Sequence, residues 1–217
     1  MKASKPSMLR NSTSISAIAA FGWRYARASA PVTGPIVLIS IDALRADRLS
    51  AYNSRAAART PALDSLARDG VVFERAYSHV PQTLPAHAAL LSGRLPFETG
   101  VRGTVGTSIA PDERMLSEML DDRGFSTGGI VSSFLLRRQT GIQQGFTFFD
   151  DALPADGALL PGLARDGHSS VRLAREWLTS IGTPRAFLFL HLNDLHRPYA
   201  ARPESTPQQT YDTRIEY

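Results

Sequence analysis

The stretch "PIVLISIDALRAD", residues 35–47, decides how the chain is read. Its β-branched run is short and does not alternate with polar residues, the pattern of a parallel strand buried on both faces. The run ends at Asp42. Ligands of open parallel sheets bind outside the carboxyl ends of the strands, so a carboxylate placed there is positioned to hold a metal; the competing reading is a cap on the next turn. Outward from this stretch, helix and strand signals alternate. "TPALDSLARDG" predicts a helix with Thr60 as N-cap, Pro61 in first position and Gly70 as the stop. "VVFERAYS", residues 71–78, reads as a strand, and a helix follows from near Leu84. "PDERMLSEMLDDRG" predicts a helix from Pro111 to Gly124. "FSTGGIVSS" reads as a strand, "GFTFFDD" as a short extended piece, Ser169–Ile181 as a helix and "RAFLFLHL" as a strongly apolar strand. The polar, proline-punctuated tail from Ala201 to Tyr217 reads as loop. The alternation predicts an α/β domain with a mostly parallel central sheet flanked by helices.

The chain has 217 residues, 43% hydrophobic and 20% charged, enough for one large globular domain. Its net charge is +4 and its pI near 9.8, but the excess is local. Residues 1–34 carry Lys2, Lys5, Arg10, Arg24 and Arg27 and no acidic group, leaving 19 basic and 20 acidic residues in the rest, a net of −1. A body that close to neutral gives no support to nucleic-acid binding. The absence of cysteine removes disulfide scaffolds, thiolate metal sites and cysteine nucleophiles. No apolar run reaches the length of a membrane span. Residues 1–34 read either as an export signal interrupted by Arg24 and Arg27 or as a disordered tail. The first makes the protein periplasmic or exported, the second cytoplasmic.

Chemistry concentrates in two further segments. In "QTLPAHAALLSG", Gln82 to Gly93, Thr83 stands at the start of a helix with Pro85 in its first turn. An N-cap hydroxyl and a nucleophile fit that position equally, because the free N–H groups of a helix N-terminus also stabilise an anion being transferred. A threonine hydroxyl needs a base or a metal to activate it. His87, four residues on, lies on the same helical face. In "FLFLHLNDLHRPY", Phe187 to Tyr199, an apolar strand runs into His191, Asn193, Asp194 and His196, which marks a site. His196 is the functional candidate there, and His191 reads as a histidine satisfied within the sheet.

In this order the segments "VLISIDALRADRLSAY", "TPALDSLARDGVVFERAYS", "TLPAHAALLSGRLP" and "HLNDLHRPY" resemble the N-terminal part of a sulfatase, within the alkaline phosphatase-like superfamily. The resemblance covers Pro35 to Tyr217 and divides the chain into residues 1–34, a leader or tail, and 35–217, a partial catalytic domain. It implies Asp42 and Thr83 as ligands of a divalent metal (Ca, Mn or Zn), with Thr83 also the nucleophile. It further implies that His87 orients that nucleophile and neutralises charge where the family has Arg, and that His196 contacts the transferred group or protonates the leaving oxygen. The implied substrates are small sulfate or phosphate esters; the oligomeric state stays open. Thr83 stands where sulfatases carry a Cys or Ser that becomes formylglycine. The methyl group on its β-carbon blocks that conversion and implies direct attack by the hydroxyl. Ala43 replaces a second Asp, and Thr104 in "GVRGTVG" replaces an Asn. The sequence ends at Tyr217, ahead of the Asp-His-Gly segment that carries further metal ligands. The alternative expectation is therefore an inactive sulfatase-like fragment with an incomplete metal site.

Overall fold

The computed structural model describes residues 34–153, 164–196 and 207–216. The readings of residues 1–33 as a leader or tail lie outside them. Four strands, β1 (Ile36–Ile41), β2 (Ser126–Ile130), β3 (Phe148–Asp150) and β4 (Ala186–Leu192), form one sheet in the order β1-β4-β2-β3. Every pairing is parallel, as the alternation of elements predicts.

The sheet is sandwiched, and the period of two along β4 shows how. Phe187 and Phe189 face one layer with Leu84, Ala88 and Leu91 of helix α2 (Thr83–Ser92). Ala186, Leu188 and Leu190 face the other, with Ala174 and Trp177 of helix α5 (Gly167–Ser180). The glycines of "STGGI" in β2 make room for both layers. A Cβ at Gly128 would lie 2.7 Å from the Trp177 ring, and one at Gly129 would lie 2.5 Å from Phe149.

Helix α1 (Pro61–Asp69) runs from Thr60 to Gly70 as predicted, although the Thr60 hydroxyl donates to Asp64 Oδ1 at 3.2 Å instead of capping a backbone N–H. Short helix α3 (Pro96–Thr99) follows α2. Four sequence expectations are corrected. β1 is an edge strand, and Val37 and Ile39 are 45% and 52% exposed, because α5 covers β2 and β4 and does not reach them. Residues 71–78 form no strand; Val71, Phe73 and Tyr77 are exposed, and a β-branched run without a neighbouring strand has no ladder to join. The helix expected over 111–124 is α4 (Leu116–Asp121), started by Glu118, whose side chain accepts from the Met115 N–H at 2.8 Å. Upstream, Glu113 is drawn to Arg94 at 2.8 Å in a turn. The tail is partly helical: α6 (Pro207–Glu216) begins on a proline, which opens a helix as readily as it ends one. Among the described residues no helix is long and apolar enough to cross a membrane.

Candidate active site

Where β1 ends, an apolar row turns polar. Ile36 and Leu38 pack toward α2, and the period of two carries Ser40 and Asp42 onto the same side. The row Phe187, Phe189, His191 on β4 does the same, and Ser40 pairs with His191 in register. Facing them on α2 are Thr83 and His87, one turn apart. Five side chains from three elements thus meet at the carboxyl edge of the sheet, which is where ligands of such sheets bind.

Thr83 is the first helical residue, with Gln82 at the N-cap position. Its hydroxyl donates to Asp42 Oδ2 at 2.9 Å, so the capping reading is set aside. His87 Nδ1 lies 2.7 Å from the Thr83 carbonyl and Nε2 lies 2.8 Å from Ser40 Oγ. A carbonyl only accepts, so Nδ1 carries the proton and Nε2 receives the serine hydroxyl. Burial, reinforced by His191, lowers the His87 pKa from 6.5 to about 4, so the ring is neutral at pH 7. It pins the first turn of α2 to β1, with both ring nitrogens engaged by the Thr83 carbonyl and Ser40.

Asp42 shows the opposite balance. Burial pushes its pKa up, but His191 and the Thr83 hydroxyl, with a weaker contribution from His87, outweigh that and hold it at about 2. His191 is fully buried, edge-on to His87 with ring centroids 5.1 Å apart. Its Nε2 lies 3.6 Å from Asp42 Oδ2, beyond ordinary hydrogen-bond length, and neither ring nitrogen has a hydrogen-bond partner. The expectation of a histidine satisfied in the sheet is therefore corrected. The interaction of His191 with the Asp42 carboxylate is electrostatic, across 3.6 Å.

His196 follows β4 by four residues, with its backbone N–H on the Asn193 carbonyl at 3.1 Å and its side chain exposed. Asp194 turns to α5, where Oδ1 accepts from the Gly167 N–H at 2.9 Å. Beyond Asp42, Ala43 adopts a left-handed backbone at φ 60°. The Tyr211 hydroxyl donates to the Ala43 carbonyl at 2.7 Å and accepts from the Arg45 N–H at 2.8 Å.

Of the residues singled out from the sequence, the structure brings Asp42, Thr83 and His87 together; Ser40, His191 and Tyr211 join them without having been singled out as site residues. Counting back by two from Asp42, and along the Phe187–Phe189 row, points to Ser40 and His191. Nothing local in the sequence points to Tyr211. A cavity of about 900 Å³ opens on the α5 side, lined by Ile41, Val171, Leu192 and Arg214 among others; neither Thr83 nor His87 lines it.

The Asp42 carboxylate and the Thr83 hydroxyl, joined by a hydrogen bond of 2.9 Å, are oxygen donors of the kind a hard divalent cation takes. Among the described residues no group of three or more His, Cys, Asp or Glu side chains is placed to hold a metal.

The Sulfatase family model matches residues 35–216. Steryl-sulfatase from Rattus norvegicus is 32% identical over 112 residues, covering 46% of this chain and 19% of that protein. Arylsulfatase A from Homo sapiens is 34% identical over 155 residues, covering 59% and 30%. The chain therefore spans less than a third of the length of either relative. A structure described as a protein in the alkaline phosphatase superfamily, from Vibrio parahaemolyticus, superposes with a TM-score of 0.64 at 17% identity, over 85% of this chain and 47% of that one. With the family matched across nearly all of the sequence beyond Gly34 and the fold shared with that superfamily, the chain belongs to the sulfatase family.

Proposed function

We propose that this chain carries the nucleophile side of a metal-assisted sulfate- or phosphate-ester hydrolase. The observation that supports the reading is the Thr83 hydroxyl, held on the Asp42 carboxylate at 2.9 Å in the first turn of a buried helix. Asp42 and Thr83 are the oxygens that would hold a divalent cation. Such a cation, when bound, makes the hydroxyl more acidic and polarises the ester. Thr83 Oγ1 bonds to sulfur or phosphorus while the bond to the ester oxygen breaks, and that oxygen leaves with a proton from His196. The hydrogen bond to Asp42 orients Thr83 Oγ1, whose proton leaves to solvent, because a carboxylate with its pKa held at about 2 does not keep it. Water then adds to sulfur or phosphorus; one of its protons returns to Thr83 Oγ1 as that oxygen leaves, the other restores His196, and the anion is released. Free N–H groups of the first turn of α2 stabilise the charge that develops on the transferred group.

Buried, neutral His87 works through the backbone: it fixes the turn that aims Thr83. The test is turnover of an aryl sulfate and of an aryl phosphodiester with added Mn²⁺ or Ca²⁺. Asp42→Ala and Thr83→Ala are each expected to abolish turnover of the preferred ester. Wild-type rates in Thr83→Ala would remove the nucleophile. Absence of turnover of either ester together with absence of tight, stoichiometric metal uptake would favour the inactive fragment.

A further inference from the structure

We infer that Tyr211 is the positioning residue for Asp42: its hydroxyl locks the turn from Ala43 to Arg45 in a left-handed form, and that turn holds the carboxylate against Thr83. The consequence for metal binding rests on Asp42 being a metal ligand, as proposed above; the geometry of the lock does not.

Ala43 is the strained residue of this turn. A side chain at φ 60° brings its Cβ close to the following carbonyl, so residues other than glycine, asparagine and aspartate leave this region unless their surroundings hold them there. Alanine has no polar side chain to stabilise the turn for itself. The Leu44 N–H closes the turn on the Ile41 carbonyl with a long bond of 3.4 Å, and the rest of the stabilisation comes from 168 residues away in sequence, where the Tyr211 hydroxyl engages both ends of the strained unit. It donates to the Ala43 carbonyl and accepts from the Arg45 N–H, using its donor and an acceptor together. Tyr211 is 6% exposed, so water does not compete freely for either bond.

Helix α6 is tied to the same loop at two more points: Asp212 lies 3.6 Å from the Arg48 guanidinium, and Glu216 Oε1 accepts from the Arg59 N–H at 2.7 Å. On the other side of the turn, the Asp42 N–H donates to the Leu192 carbonyl of β4 at 2.9 Å. Asp42 is thus fixed from the sheet through its own amide and from α6 through the residue that follows it. The direction of its side chain depends on both, because the peptide between Asp42 and Ala43 lies between the two anchors and both limit its rotation. An oriented carboxylate binds a cation better than one that must give up alternative rotamers.

Tyr211→Phe in the full chain tests this, since it removes one oxygen and leaves the packed ring. Calorimetric titration with Mn²⁺, well below the melting temperature, is expected to show about 10-fold weaker binding than wild type, the scale of losing a group that orients a metal ligand. A crystal structure of the variant is expected to show Ala43 out of the left-handed region and Asp42 Oδ2 withdrawn from Thr83 Oγ1. A merely structural tyrosine would lower the melting temperature and leave the Mn²⁺ affinity of the folded protein unchanged, and that result overturns the inference. So does a variant crystal structure that keeps both the positive φ and the 2.9 Å contact. If wild type and Asp42→Ala take up Mn²⁺ equally, or neither does, the metal reading fails by itself. The crystal structure then still decides whether Tyr211 sets the turn.

Discussion

His87 makes a quantitative prediction about acid stability. Its folded-state pKa lies at about 4, below the ordinary 6.5, so between those values the unfolded chain binds a proton that the native chain refuses. Stability must then rise with pH across that window: it is complete above pH 6.5 and is lost as pH falls toward 4. At about 1.4 kcal/mol for each pH unit, the full loss is about 3 kcal/mol, of which about 2.5 kcal/mol has gone by pH 4.5. Asp42 titrates near 2 and stays charged throughout, so it does not blur the window. The assay is urea unfolding in EDTA at pH 7.5 and pH 4.5, followed by tryptophan fluorescence, for wild type and His87→Gln. Glutamine retains an amide donor for the Thr83 carbonyl but does not titrate. Wild type is expected to lose about 2.5 kcal/mol more than the variant between the two conditions. Carboxylates elsewhere contribute to both proteins and cancel in the difference. Equal losses in the two proteins would show that the buried, neutral imidazole is misassigned.

Two other groups offer independent checks. Arg165 is buried beside Asp150 and also bonds the Val131 carbonyl at 2.9 Å and Ser170 Oγ at 3.0 Å. Arg165→Met strands the carboxylate and should cost about 3–5 kcal/mol in chemical denaturation; a loss under 1 kcal/mol would contradict the burial of the pair. Asp166 caps α5 by accepting from the Ser169 N–H at 2.9 Å. Burial opposes its ionisation, but that hydrogen bond prevails and lowers its pKa, so the cap contributes above the usual carboxylate range and is lost as pH falls through the folded value. Asp166→Ala should cost about 1 kcal/mol at pH 7 and less in acid; a pH-independent difference would count against the cap.

What the sequence made legible were features that act over a few residues. Strand β1 and the Pro61 start and Gly70 stop of α1 each follow from local propensity. Asp42 and Thr83 were legible because their position relative to a strand end and a helix start is a local fact. His191 was misread because burial without a partner is decided by what faces a strand, and α2 lies about 100 residues upstream. Residues 71–78 failed in the converse way: their composition favours a strand, but pairing needs a neighbour, and the sheet closes through β4, β2 and β3. The register that sets Ser40 beside His191 is a property of the assembled sheet and of neither strand alone.

Helix α2 has seven of its ten residues buried, from Thr83 and Leu84 through Ala89 to Leu91. A segment walled in to that degree is poor ground for evolving new substrate preference, since nearly every substitution there disturbs packing before it meets a substrate. Changes of specificity should therefore accumulate outside this helix, in exposed turns such as Thr104–Gly106, and a mutagenesis library aimed at altered substrates belongs there, with the Thr83–Leu91 block and the Ala43–Arg45 turn held constant.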